Sequence, residues 1–433
     1  MYKVILHILL AVVAAFMFQS CCNDADPDTG QGSNKQKVTI SLVQSTQDRT
    51  GASLRSMSVA QENEINEIDI LAFRKTGGIY KLAYSVKGID IQQQNPQYEF
   101  STFTAWLETG EQKFVFIANA SSYIHNSGIQ IGDRFDDIIS NLTVDSNSEW
   151  LNLYIPMYGE IDTEIINTST TLSNIYLIRM LARFDISLLN TVTNFNLEEA
   201  YIFNRKNKGY IASQHITGNI ATNATVPSDA IQIKTPAYTY TTTSNNEISQ
   251  SIYTFEVKGV NLSTNKKDAT AIVVGGDFNN SGKTTYYRVD IHNPQTSIQT
   301  LDILRNHLYN IVIQSVSEAG APTPEEAFDG IYTLNAEIEV WTNNEIGVDL
   351  DEQYYLQVSH PSIQSSAIPA DGLTVTAITN HPKGISLENN GSTIDLPLPD
   401  EGKSVMTLKL MPTAAGNKFT FIAGNLRYVV TIK

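Results

Sequence analysis

The sequence predicts an all-β protein, a row of β-sandwiches with a few short helices, and three observations carry that prediction. Its 20 Tyr and 16 Phe, with many Thr, Ile and Val, suit the pleated, half-buried surface of a sheet. Apolar residues alternate over short stretches, and Gly, Asn and Pro separate those stretches. The chain has 433 residues, 42% of them hydrophobic, so two or three closed cores form without a metal or disulfide staple.

Lys3 is the only Lys, Arg, Asp or Glu in residues 1–20, and 4–18 is an apolar run. It is shorter than the ~20 residues of a membrane helix and fits a secretory signal. The run ends at Phe18-Gln19-Ser20-Cys21, which resembles a bacterial lipoprotein cleavage box with Phe18 in the usual Leu position. Cleavage there makes Cys21 the lipidated (palmitate-carrying) first residue; the alternative is an ordinary signal peptide ending beside a cysteine. Loss of Lys3 changes the net charge from −16 to −17, 45 acids against 28 bases. The other cysteine is the adjacent Cys22, so no disulfide crosses the body. Residues 21–36, with Asp24, Asp26 and Asp28, read as a flexible acidic tether. Acids after the lipidated cysteine resemble the surface-export signal of Bacteroidetes lipoproteins, implying an outer-membrane, surface-exposed address.

From Lys37 the chain alternates, with Val38, Ile40 and Leu42 on one face of a strand. Residues 45–64 then show no sustained period and hold Arg49 and Arg55. Strands are expected at 65–73 and 80–86 around Thr76-Gly77-Gly78, and at 114–118. Asp133 is placed to cap a helix carrying Phe135, Ile138, Ile139 and Leu142. Apolar segments follow at 150–157 and at 175–188, the latter with Arg179 and Arg183. Residues 204–209 read as a solvated hairpin tip, and 213–250 as a long loop with edge strands. Strands are expected at 252–260, 269–274, 284–291 and 306–316, then a short helix opened by the capping box Thr323/Glu326. After 336–341, residues 342–351 read as a linker. The expected divisions are 1–20, 21–36, a first sandwich at 37–170, a second at 171–345 and a small extra one at 352–433.

The acidic balance excludes a basic grip on nucleic acid. Residues 276–284 approach a phosphate-binding loop, but five residues separate Gly276 from Gly282 and a strand follows where a helix is required. Asp277-x-Asn279-x-Ser281-Gly282 matches half of a calcium loop, with Arg288 at the twelfth position where a glutamate belongs. The histidines have no metal-ligand spacing, and no nucleophile elbow occurs. The sequence therefore nominates no catalytic residue, metal or cofactor. Trp106, Trp150 and Trp341 are expected in cores.

Several segments together resemble the fimbrillin family, the type V pilin subunits of Bacteroidales. They are INEIDILAF (65–73), FVFIANAS (114–121), IPMYGE (155–160), LIRMLARFD (177–185), AYIFN (200–204), YYRVDI (286–291), LRNHLYNIVI (304–313) and EIEVW (337–341), in the family's order. The resemblance implies two transthyretin-like sandwiches and assembly with other fimbrial subunits by donor-strand exchange. It also implies that the first strand, with Val38, Ile40 and Leu42, leaves after cleavage at an arginine, here Arg49 or Arg55. The roughly eighty residues after Trp341 depart from a shaft subunit and point to an accessory or tip position. A strand at 426–432 is an alternative donor. The competing reading is a monomeric surface lipoprotein that binds glycan or a host protein.

Overall fold

A computed structural model of the protein describes residues 34–44, 59–94, 100–146, 154–212, 216–217, 220–242, 246–292, 298–341, 347–350, 355–358, 362–363, 365, 368, 372–379, 381–388, 405–424 and 426–433, and residue 150. It is built almost entirely of strands.

The first ten strands are β1 (Lys35–Val43), β2 (Ile68–Thr76), β3 (Ile79–Lys87), β4 (Ile89–Gln94), β5 (Phe100–Glu108), β6 (Gly110–Ala118), β7 (Thr143–Asp145), β8 (Met157–Ile166), β9 (Thr171–Tyr176) and β10 (Ile178–Arg179). Helices α1 (Val59–Asn63), α2 (Ser121–Asn126) and α3 (Phe135–Asn141) interrupt them. One sheet runs β4-β5-β1-β9 and the other β10-β8-β6-β2-β3. Their inner faces meet in one apolar core. The β2–β3 turn uses Gly77 and Gly78 at φ +60° and +86°, a conformation that costs glycine little. The chain passes out of these sheets between Arg179 and Ala182, about ten residues beyond the boundary drawn at 170. Gly159 of β8 permits the close approach of the end of β9, since a Cβ there would lie 2.5 Å from the Tyr176 carbonyl oxygen.

The second pair of sheets uses β11 (Ala182–Leu188) and β12 (Phe195–Phe203). Short pieces follow: β13 (Arg205–Lys206), β14 (Lys208–Tyr210), β15 (Ile216–Thr217), β16 (Ile220–Ala221), β17 (Gln232–Ile233) and β18 (Tyr240–Thr241). The remainder are β19 (Ile248–Thr254), β20 (Ala271–Phe278), β21 (Thr284–Asp290), β22 (Leu308–Ser315) and β23 (Asn335–Trp341), with helices α4 (Leu262–Asn265) and α5 (Pro324–Asp329). The sheets run β19-β11-β22-β23 and β18-β12-β20-β21, closing on Phe184, Tyr287 and Tyr309 among others. At α5 the Thr323 hydroxyl accepts from the Glu326 N–H at 3.2 Å, one half of the expected capping box. Phe328 of α5 stacks on Phe203 with ring centroids 4.5 Å apart, under the Arg288 guanidinium.

A third core joins these two pairs of sheets. The outer face of β2 and β6 (Phe73, Val115), helix α3 and Trp150 meet Ile211, Tyr253 and Phe255. Arg305 is buried in this region, pairing with Glu256 at 2.8 Å and donating to the carbonyls of Tyr210 and Ile211. His307, two residues on, is buried with Nδ1 2.8 Å from the Arg305 carbonyl. Burial holds its pKa below the ordinary 6.5, against the pull of that carbonyl and Glu256. A depressed folded pKa means that its contribution is present above pH 6.5 and is lost as pH falls through the window below. Stability is therefore expected to drop on acidification from pH 7 to 5, and urea titrations of His307→Gln should show a shallower drop.

The last strands are β24 (Gly347–Leu350), β25 (Tyr355–Val358), β26 (Ser362–Ile363), β27 (Leu373–Thr379), β28 (Ser386–Glu388), β29 (Val405–Leu410), β30 (Lys418–Ala423) and β31 (Leu426–Ile432). They form sheets β24-β25-β27-β29 and β26-β31-β30-β28 around Leu356, Val375, Leu408, Phe419 and Phe421.

Three local expectations are corrected. Asp133 does not cap α3: Arg134 occupies the N-cap, and the Asp133 carboxylate accepts from the Gln130 N–H in the preceding turn. Residues 204–209 are not a solvated tip. Asn204 and Arg205 are buried, the Asn204 amide donates to the Lys267 and Ala269 carbonyls, and β14 pairs with β7. Trp106 is 43% exposed on β5, whereas Trp150 is buried edge-on to Phe255. The Trp341 side chain lies outside the described residues.

Candidate functional site

Strand β1 is an interior strand, seated between β5 and β9. It runs parallel to β9, with Thr39 opposite Thr171, Ile40 opposite Leu172 and Leu42 opposite Ile175. The register shifts between Ile40 and Leu42, where β9 carries one more residue than β1. The Leu177 N–H donates to the Val43 carbonyl at 2.9 Å, extending the pairing past the strand's end.

The alternation in the sequence sets the orientation of its side chains. Val38, Ile40 and Leu42 are each 0% exposed, in the core with Phe103 and Leu107 of β5, Leu172 and Ile175 of β9, and Ile70 and Phe116 of the facing sheet. Complete burial of each such side chain contributes ~1.5–3 kcal/mol. The opposite face is partly covered too, with Ser41 and Val43 buried. At the strand's end Gln44 continues the inward alternation, 1% exposed, and its amide Nε2 donates to the Ser101 hydroxyl of β5 at 2.6 Å. Departure of β1 would thus open a groove lined by three apolar seats and one polar seat, with β5 and β9 left as unpaired edges.

Cys21, Arg49 and Arg55 lie outside the described residues. The chain is described again from α1, where a buried charge cluster fixes it. Glu62 pairs with Arg183 of β11 at 2.7 Å and accepts a short hydrogen bond from the Tyr253 hydroxyl of β19. Arg183 also reaches Asp185 at 3.0 Å. The Arg179 guanidinium donates to the Asn63 side chain at 2.6 Å. Two guanidinium and two carboxylate groups balance in a site of almost no solvent exposure. Burial works against the Arg183 charge, but Glu62 and Asp185 outweigh it and hold the pKa above its ordinary value. Burial, reinforced by Glu62, keeps the Tyr253 phenol well above 10 and so a donor. Beyond the helix, Asn119 clamps the chain by donating to the Glu64 carbonyl and accepting from the Asn66 N–H.

The alternative donor, β31, is an interior strand of its own sheet, between β26 and β30, with Leu426, Val430 and Ile432 buried. At the 277–282 turn both Asp277 oxygens are occupied: one accepts from the Ser281 N–H and hydroxyl, the other from the Gly282 N–H. Despite the opposing effect of desolvation, these bonds hold its pKa below 3.8, and the carboxylate serves the turn. Among the described residues no group of three His, Cys, Asp or Glu is arranged to hold a metal ion, and no helix is long and apolar enough to cross a membrane.

Glu62, Asn63, Tyr253, Gln44 and Ser101 were not visible as site residues in the sequence. Their partners lie far along the chain, and Glu62 sits in a polar run that hides a short helix. The sole local signal was the inward phase of Gln44, two residues beyond Leu42.

Residues 37–196 match a family model described as major fimbrial subunit protein (FimA). Two curated sequences from Porphyromonas gingivalis, both the major fimbrium tip subunit FimE, are each 24% identical over 338 residues, covering 77% of this chain and 57% of the relative. The chain thus spans little more than half the length of the curated relatives it matches. Similar solved structures include a putative cell adhesion protein from Parabacteroides distasonis, with TM-score 0.43, 14% identity and coverage of 72% of this chain and 100% of that one. Another is the tip fimbrial protein Mfa3 from Porphyromonas gingivalis with C-terminal truncation, with TM-score 0.42, 13% identity and coverage of 70% and 99%. These relatives carry the names of fimbrial subunits and adhesion proteins, not of enzymes.

Proposed function

We propose, from the match of residues 37–196 to the FimA family model and the likeness to FimE, that the chain is a fimbrillin of Bacteroidales type and serves as a cell-surface fimbrial subunit of accessory or tip type, assembled by donor-strand exchange. In this reading Cys21 carries the lipid that anchors the precursor in the outer membrane. Cleavage after Arg49 or Arg55 frees the N-terminal segment, β1 leaves, and an extended strand from another subunit takes its place. The observation that carries the reading is the seat of β1: an interior strand with Val38, Ile40 and Leu42 fully buried, followed directly by the connection that holds both arginines. An emptied seat exposes three apolar pockets and two strand edges, which a foreign strand satisfies by backbone pairing and side-chain burial together. The tip assignment draws on the named relatives and on the extra sandwich after β23.

Arginine-specific proteolysis of the folded protein tests this. The expected result is a cut within 45–58, loss of the N-terminal fragment, and detergent-resistant oligomers on mixing with partner subunits. A cleaved preparation that keeps β1 and stays monomeric with every subunit overturns the reading.

A further inference from the structure

We propose that the groove holding β1 selects its replacement strand by a polar seat at its end: the Ser101 hydroxyl specifies a hydrogen-bonding side chain two residues beyond the last of three alternating apolar residues. This rests on the strand-exchange reading and names the chemistry of the partner that the groove accepts.

The inner face of β5 runs Ser101, Phe103, Ala105, Leu107, each almost completely buried. Three of these are apolar and face an apolar core; the first is a hydroxyl at 0% exposure. It accepts a hydrogen bond from the Gln44 amide at 2.6 Å. An occupant that ends in leucine would leave that hydroxyl desolvated and without this bond, and the penalty falls on the wrong strand alone. An occupant with an amide or hydroxyl at the same position keeps the bond. The apolar seats measure only hydrophobic volume and tolerate many aliphatic sequences. The polar seat adds register, because a strand displaced by two residues brings an apolar side chain to Ser101.

The resident strand itself fills the groove imperfectly. Gln44 Oε1 and Ser41 Oγ are buried and have no hydrogen-bond partner among the described residues. Each is a polar group removed from water without return. A replacement strand that satisfies Ser101 through a better-matched side chain, and has no hydroxyl at the position of Ser41, holds the groove more tightly than β1. Exchange then runs downhill once the covalent link is cut.

The test uses the full mature chain, cleaved in 45–58 and freed of its N-terminal fragment. Two peptides serve as probes: KVTISLVQ, the sequence of residues 37–44, and the same peptide with Gln44→Leu. The wild-type groove should bind the glutamine peptide about tenfold or more tightly than the leucine peptide. In a Ser101→Ala chain the preference should vanish or reverse. Equal binding of both peptides to the wild-type groove overturns the polar selection while leaving strand exchange intact. Binding of neither overturns strand exchange, and this inference with it. In the uncleaved chain, a double-mutant cycle of Gln44→Leu and Ser101→Ala on stability should show coupling; additive effects would also sink the proposal.

Discussion

Ile40→Asp is expected to destabilise the protein by upwards of about 4 kcal/mol, because the side chain lost is fully buried and the one gained is a carboxyl in an apolar core. That is a large share of the ~5–15 kcal/mol that holds a domain folded. The loss has a ceiling. When the penalty exceeds the energy that seats β1, the strand leaves and the rest of the fold remains. Urea denaturation reads the first regime. Hydrogen exchange reads the second: amides of β5 and β9 should lose protection while those of β12 and β20 keep theirs. Uniform loss across both sandwiches would show that β1 is integral to the whole fold and not a separable occupant.

Glu62→Ala should cost about 3–5 kcal/mol, since it leaves the Arg183 guanidinium short of one of its two carboxylates in a buried site. Tyr253 loses its acceptor in the same change. Glu62→Gln keeps an oxygen for that hydroxyl and should be the milder substitution. Chemical denaturation of the pair separates charge from hydrogen bonding. Equal destabilisation would show that the charge alone matters, and no effect in either would place the cluster outside the energetics of the fold. Limited proteolysis adds a spatial reading, because α1 should become accessible in Glu62→Ala before any β-sheet does.

The sequence made β1 legible because strand alternation is a local property: Val38, Ile40 and Leu42 announce their shared face within five residues. The β2–β3 hairpin was legible for the same reason, with Gly77 and Gly78 supplying the turn. Helix α1 was not. Five residues are too few to display a helical period, and its stability comes from tertiary partners, Arg179, Arg183 and Tyr253, which sequence spacing cannot bring together. The misreading of 204–209 has a related cause. Arg205, Lys206 and Lys208 look like a solvated turn in one dimension, yet β7 and β17 supply backbone partners that draw the segment inward. Position alone places Asp133 at the start of the helix, whereas the adjacent turn offers its carboxylate the Gln130 N–H. The polar seat at Ser101 needed the sheet order, since Gln44 and Ser101 are neighbours only through it.

The interior position of β1 bears on when subunits associate. With β1 in place, the seat offers a passing chain neither an open groove nor a free pair of strand edges there. On the proposed strand-exchange reading, crowding uncleaved chains together would therefore not by itself drive polymerisation at this seat. On the proposed reading, an irreversible hydrolysis takes the place of concentration as the control variable. In that reading assembly would begin where the protease is, and a subunit that had lost its first strand could not return to the stored form.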